Sequence, residues 1–295
     1  MPKETPLQRT KRLAVASGTT AQINMFDHMC KMKPHRLGIV VEGDSWVKYP
    51  RSLYFLGRDM NLCHHLIEAV NFTDTVNMLN IGKNGDTAAN MFSDKGIAPL
   101  KRVLAKHAKH IDMLLISAGG NDIVGYTDML SLLNAPDPSQ NDFLDHVNMD
   151  AFTSRMDSIL ENYQKLLEVC KELVPAAKIF THTYDLVKPS PIGPVFIGIK
   201  FGSSWIHRAM VEKEVPEAFR QPIVKYMLET FADRMALLAA DPATEGRLIV
   251  VDTQGNLRPG HPADWENEIH PTSTGFAKIF NEIYGEMQMY FPELP

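Results

Sequence analysis

Five short apolar runs, each continuous rather than alternating, constrain this chain more than any other feature. They are RLGIVVEG at 36–43, VNMLNIG at 76–82, DMLLISAGG at 112–120, AKIFTHTYD at 177–185 and RLIVVDTQG at 247–255. A strand with one face in water alternates apolar and polar residues, whereas a parallel strand covered on both faces is apolar along its length. Between the runs lie segments with apolar residues three and four apart, such as IAPLKRVLAKHAKHI, IVKYMLETFADRMALLAA and the closing TGFAKIFNEIYGEMQMYF. The longest, AFTSRMDSILENYQKLLEVCKELV, is stopped by Pro175. Strand alternating with helix predicts an α/β protein, a three-layer α/β/α sandwich around a five-stranded parallel sheet. No repeat or low-complexity linker divides the chain, so residues 35–295 read as a single domain and residues 1–34 as an N-terminal arm. One apolar segment breaks the alternation, LVKPSPIGPVFIGIKFGSSWI at about 186–206. A loop this long in a compact domain is often functional, and it reads either as a covering wall or as a lid over a site.

Composition removes several classes of function. At 44% hydrophobic and 22% charged the chain has the make-up of a globular protein with a sizeable core. A formal net charge of -5 gives no electrostatic reason to expect nucleic acid, and Lys3, Arg9, Lys11 and Arg12 read as part of a solvated arm. No stretch approaches the roughly 18 apolar residues of a membrane span, and LAVASGTTA is too short for the core of a secretory signal. The three cysteines, Cys30, Cys63 and Cys170, are too few and too far apart for a disulfide framework or a zinc knuckle, which suits a reducing, cytoplasmic setting. His64-His65 and the pair His107/His110 have no carboxylate or cysteine set to complete a metal site and read as solvated helix faces.

In open parallel sheets, sites form beyond the carboxyl ends of the strands. After the first run comes Gly43-Asp44-Ser45, after the second Gly85-Asp86-Thr87, and after the third Gly119-Gly120-Asn121-Asp122. Some distance after the fifth comes NEIHP, with His270 just ahead of a helix start. Singly these are turn or capping residues. Together they assemble a hydroxyl, a glycine amide, a side-chain amide and an imidazole at one sheet edge, which is the inventory of acyl transfer. Serine is a weak nucleophile until an imidazole takes its proton, and the oxyanion that follows needs preorganised donors. His182 and Asp185, at the end of the fourth run, read as lining or supporting residues.

The blocks EGDSW, NGDTA, GGND and NEIHP, in this order over residues 43–270, resemble the four blocks of the SGNH, or GDSL-type, hydrolases. That resemblance implies a flavodoxin-like sheet and a serine hydrolase cleaving small-molecule carboxylic esters through an acyl-enzyme, with no metal or other cofactor. It assigns Ser45 as nucleophile, His270 as base, and the Ser45 amide, Gly85 and Asn121 as oxyanion donors. Trp46, Phe196, Ile199, Phe201 and Trp205 are the candidates for substrate contact, the last four in the covering insertion. The Gly-x-Ser-x-Gly elbow of α/β-hydrolases is absent around Ser45. A carbohydrate O-acetylesterase and a non-catalytic ligand-binding member of the same fold stay open as alternatives.

One position departs from the family pattern. Where an aspartate three residues before the histidine is usual, this chain has Asn267. Its carbonyl can accept the imidazole N–H but supplies no charge for the imidazolium. Asn267 then orients His270 alone, or a neighbouring carboxylate (Glu268, Asp264 or Asp252) substitutes, or Ser45 and His270 act nearly as a dyad. The ordinary reading of Glu268 is a solvated loop charge.

Overall fold

The computed structural model describes residues 20–48, 61–70, 75–196, 199–200 and 202–295. At its centre lie five strands, β1 (Leu37–Gly43), β2 (Val76–Asn80), β3 (Met113–Ser117), β4 (Lys178–His182) and β5 (Leu248–Val251). All neighbouring pairs are parallel, in the order β2-β1-β3-β4-β5. Each strand falls inside one of the five apolar runs. One row of paired residues crosses the whole sheet, Leu79, Val40, Leu114, Ile179 and Leu248, and all five are buried. Burial of each such side chain is worth about 1.5–3 kcal/mol relative to exposure, so the apolar runs both form the strands and fix their register.

The helices in chain order are α1 (Thr20–Met32), α2 (Ser45–Lys48), α3 (Leu62–Val70), α4 (Ala88–Met91), α5 (Ala98–His107), α6 (Gly120–Val124), α7 (Tyr126–Leu132), α8 (Met149–Leu173), α9 (Ile206–Glu212), α10 (Glu217–Ala240) and α11 (Ser273–Tyr290). Helices α4, α5 and α10 pack on α8 to make one layer, while α1, α3 and α11 cover the other face. Within the arm at 1–34, residues 20–32 form a helix that packs on the domain: Phe26 and Cys30 of α1 are in the core, and Phe26 meets His107 edge to face at 5.1 Å. His107 is therefore buried rather than on a solvated face. Residues 1–19 lie outside the described residues.

The chain leaves β1, runs to the edge as β2, and returns across β1 to β3. The two halves of the sheet thus part between β1 and β3, and a crevice opens at their carboxyl ends. The insertion after β4 contains a short antiparallel pairing of Val195–Phe196 with Ile199–Lys200. Among the described residues no helix is long and apolar enough to cross a membrane.

Candidate active site

The turn after β1 is shaped by close approach to β3. A Cβ on Gly43 would lie 2.7 Å from the Ser117 carbonyl oxygen and 2.8 Å from the Ser117 Cβ, so only glycine fits. The Asp44 N–H then donates to the Ser117 carbonyl at 2.9 Å, and Ser45 opens α2, almost wholly buried. The Asp44 carboxylate caps this short helix by accepting the Trp46 N–H at 2.9 Å.

Beneath the turn lies a buried polar network. Asp44 also accepts the Ser117 hydroxyl at 2.9 Å and the Tyr184 hydroxyl. His182 Nε2 faces Ser117 Oγ at 3.0 Å, while its Nδ1 accepts the Tyr184 N–H. Burial pushes the His182 pKa down to about 3, so the ring is neutral. With Nδ1 accepting, the ring proton sits on Nε2 and the chain of donors runs from His182 to Ser117 to Asp44. Burial pushes Asp44 up to about 6, against the pull of hydrogen bonds from Tyr184, Trp46 and Ser117. Trp46 stacks on His182 with ring centroids 5.2 Å apart. Its Nε1–H donates to the Ile269 carbonyl at 3.2 Å, which ties the serine turn to the histidine loop.

That loop is held by the cap of α11, where Thr272 Oγ1 accepts the Gly275 N–H at 3.0 Å, two residues beyond His270. The His270 Nε2 lies 2.8 Å from Ser45 Oγ, and its Nδ1 lies 3.0 Å from Asn267 Oδ1. The same Oδ1 accepts the backbone N–H groups of Ile269 at 3.2 Å and His270 at 3.0 Å. Two backbone donors identify that atom as the oxygen, so Nδ1 must carry a proton to donate to it, and Nε2 turns its lone pair to the serine.

The second and third loops close the crevice. The Lys83 N–H donates to the Gly43 carbonyl at 2.8 Å, and Gly85 turns the chain at φ 75°, where a side chain would be strained. Thr87, not Asp86, caps α4, by accepting the Asn90 N–H at 3.1 Å. The Asp122 carboxylate accepts Ala88 N–H at 2.7 Å and Ala89 N–H at 3.2 Å, locking the second block to the third. Burial raises Asp122 to about 6. Asn121 Nδ2 donates to the Asp86 carbonyl at 2.8 Å, leaving its second amide hydrogen uncommitted. Among the described residues the N–H groups of Ser45 and Gly85 likewise have no acceptor. Ser45 and Asn121 line one narrow cleft, with Trp46, Val124, Val187, Leu228 and Ile269 among its other walls.

Of the carboxylates weighed against Asn267, none reaches His270. Asp264 accepts from Arg258 Nε at 2.8 Å and Lys278 Nζ at 2.7 Å, and these cations hold it well below the usual carboxylate range. Asp252 accepts from Thr183 and from the Gln254 N–H, both at 3.0 Å. Glu268 is not a solvated charge. It is 2% exposed and accepts four backbone N–H groups of the 186–206 segment and α9. Asp185 sits in the cleft wall, accepting N–H groups from Leu186, Gly255 and Leu257. Trp205 meets the His270 ring edge to face at 5.5 Å. The side chains of Phe196 and Ile199, and all of Phe201, lie outside the described residues. Among the described residues no cluster of three His, Cys, Asp or Glu side chains is arranged to hold a metal ion.

Ser117 and Tyr184 support the serine turn without any sequence signal. Ser117 is one residue of an apolar strand, and Tyr184 adopts φ 56°, a conformation no pattern predicts for tyrosine.

The profile of the GDSL-like lipase/acylhydrolase family matches residues 43–283. A lipase from a goat-rumen metagenome is similar in structure, with a TM-score of 0.52 at 15% identity over 84% of this chain and 96% of that one. A structure described as a possible lipase from Chitinophaga pinensis has a TM-score of 0.51 at 15% identity over 86% of this chain and 99% of that one. At such identities the likeness is one of fold. No curated protein matches the chain.

Proposed function

The chain belongs to the GDSL-like lipase/acylhydrolase family, the SGNH hydrolases, and from that premise we propose that it hydrolyses carboxylic esters of small molecules through an acyl-enzyme on Ser45. The observation that carries this reading is the Ser45–His270–Asn267 alignment, with contacts of 2.8 and 3.0 Å. In this reading His270 Nε2 takes the Ser45 proton as Oγ attacks the ester carbonyl. The carbonyl π electrons move onto oxygen, where the Ser45 and Gly85 amides and Asn121 Nδ2 donate to the oxyanion. Collapse breaks the bond to the alcohol oxygen, and His270 gives that oxygen its proton. Water then repeats the attack, His270 takes a proton from it, and the carboxylic acid leaves as Ser45 is reprotonated. Ser45, His270 and water account for every proton in this cycle.

Asn267 sets the tautomer by geometry and brings no charge. An aspartate-to-asparagine exchange in a serine protease costs about 10⁴ in turnover, attributed to the wrong tautomer. The two backbone donors on Asn267 Oδ1 support the productive tautomer here, so Asn267 serves as the orienting third member. The test is hydrolysis of p-nitrophenyl esters from acetate to decanoate by wild type and Ser45→Ala, alongside fluorophosphonate labelling. Turnover and labelling in wild type, both reduced to background in the variant, are the expected result. A wild type that neither labels nor turns over any ester would refute the reading and leave a binding protein.

A further inference from the structure

Glu268 stands one residue from Asn267 and two from His270, yet its side chain turns away from the imidazole. Oε1 accepts the N–H groups of Ser190 at 3.0 Å and His207 at 2.7 Å. Oε2 accepts those of Trp205 at 2.6 Å and Ile206 at 2.8 Å. The Glu268 N–H donates to the Ile192 carbonyl at 3.1 Å. One buried carboxylate thus fastens both ends of the 186–206 segment, and the first turn of α9, to the loop that carries His270. Four charge-assisted bonds to backbone make this a rigid joint rather than a hinge. Ser190, Trp205, Ile206 and His207 all reach it through main-chain atoms, so their side chains are left for other work.

Trp205 is the side chain that this joint aims. Its ring stands edge to face with His270 at 5.5 Å and 72°, and it is not part of the cleft wall formed by Val124, Val187, Leu228 and Ile269. The two locations correspond to two halves of an ester. The leaving alcohol takes its proton from His270 Nε2 and so lies beside the imidazole. The acyl chain, bonded to the same carbonyl carbon, extends into the cleft.

Resting on the ester-hydrolase reading above, we propose that Glu268 is a positioning residue that holds Trp205 against His270, and that Trp205 selects the alcohol half of the substrate. An indole beside the leaving oxygen favours alcohols that present a ring face over methyl or ethyl alcohols. Acyl selection belongs to the cleft.

Two arms test this. In the first, wild type, Trp205→Ala and Glu268→Gln are compared by NMR at the His270 ring protons, which the edge-to-face indole shifts by its ring current. Both variants move these resonances in the same direction; if Glu268→Gln leaves them where wild type has them, the positioning role is overturned, whatever the enzyme hydrolyses. In the second, kcat/KM is measured for ethyl, cyclohexylmethyl and benzyl butyrates, and for ethyl esters of increasing acyl length. Trp205→Ala loses about tenfold of the preference for ring-bearing alcohols, Glu268→Gln follows it, and the acyl-length profile stays that of wild type. A uniform loss over all esters, or a changed acyl profile with the alcohol preference intact, overturns the proposal. Failure of the ester reading itself would appear separately, as absent fluorophosphonate labelling of Ser45 in wild type.

Discussion

Replacing Asn267 by aspartate isolates what charge adds to a site that already has its geometry. The oxygen that faces His270 Nδ1 at 3.0 Å stays in place, still fed by the N–H groups of Ile269 and His270. What changes is that the amide NH₂ becomes a second oxygen and a negative charge stands beside the imidazolium that the proposed cycle forms. Two unit charges about 4 Å apart attract by about 4 kcal/mol at an effective dielectric of about 20, equivalent to about three pH units in the titration of His270. Asn267 is 3% exposed, so the new carboxylate is desolvated and part of that attraction is offset, leaving a rise of about 1–3 pH units. Asn267→Asp therefore has a pH-dependent signature. Above the titration, a more basic His270 and a stabilised imidazolium raise kcat/KM by about 10–100-fold. Below it, a larger fraction of the variant's histidine is protonated, so its advantage over wild type shrinks as pH falls. The assay is the pH profile of kcat/KM from pH 5 to 9 on an ester that wild type hydrolyses. If the midpoint of the variant's acid limb coincides with that of wild type, a charge already reaches His270 and the assignment of Asn267 as its orienting partner is wrong.

Two further substitutions separate the proposed oxyanion donors from the fold beneath them. Asn121→Ala removes the donor of one hydrogen bond to the oxyanion and should lower kcat by about 10²–10³ with little change in KM; a loss under tenfold in steady-state kinetics would remove Asn121 from that role. Glu42, at the end of β1, has its pKa pushed up to about 8 by burial, against an ordinary value of 4.5. The folded chain thus favours its protonated form, a stabilisation complete below pH 4.5 and lost as pH rises through 8. Glu42→Gln keeps a neutral side chain there, so above pH 8 it should be more stable than wild type by on the order of a few kcal/mol, with a higher melting temperature that converges on that of wild type near pH 5. Parallel melting curves across that range would mean that Glu42 is solvated as the protein breathes.

The sheet was legible because its signal is collective. Each of the five runs contains one strand, and continuous apolarity identifies a strand buried on both faces without reference to any partner. Four of the five runs overshoot their strands at the carboxyl end, the run before Asp44 excepted: AKIFTHTYD reaches 185 while β4 stops at His182. There the chain stays buried but exchanges ladder bonds for side-chain bonds. Tyr184 and Asp185 are as inaccessible as the strand before them, so hydropathy cannot see the boundary. At the chain start burial, rather than charge, places α1. Basic residues near the chain start suggested an arm, but two buried side chains, Phe26 and Cys30, outweigh exposed charges whose pairs, such as Lys31 with Asp27, contribute little.

Around the site, legibility follows the kind of partner each residue has. Ser45, Gly85, Asn121 and His270 stood out because acyl transfer needs those groups after those strands, and Ser45 and Asn121 do share one cleft. Asn267 was readable from its spacing to His270, and the rival carboxylates were excluded only once Asp264 was seen against Arg258 and Lys278. Glu268 reads in sequence as a loop charge because its partners are main-chain N–H groups, which every residue but proline carries and which leave no mark in sequence. A carboxylate that binds backbone resembles, in one dimension, a carboxylate that binds water. The difference is burial: an unpaired carboxylate at 2% exposure would be prohibitively unstable, and the four donors, which offset part of that penalty, come together only where both ends of the 186–206 segment meet the histidine loop. The insertion and the residue beside His270 therefore depend on each other, and a chain that altered either alone would lose the joint between them.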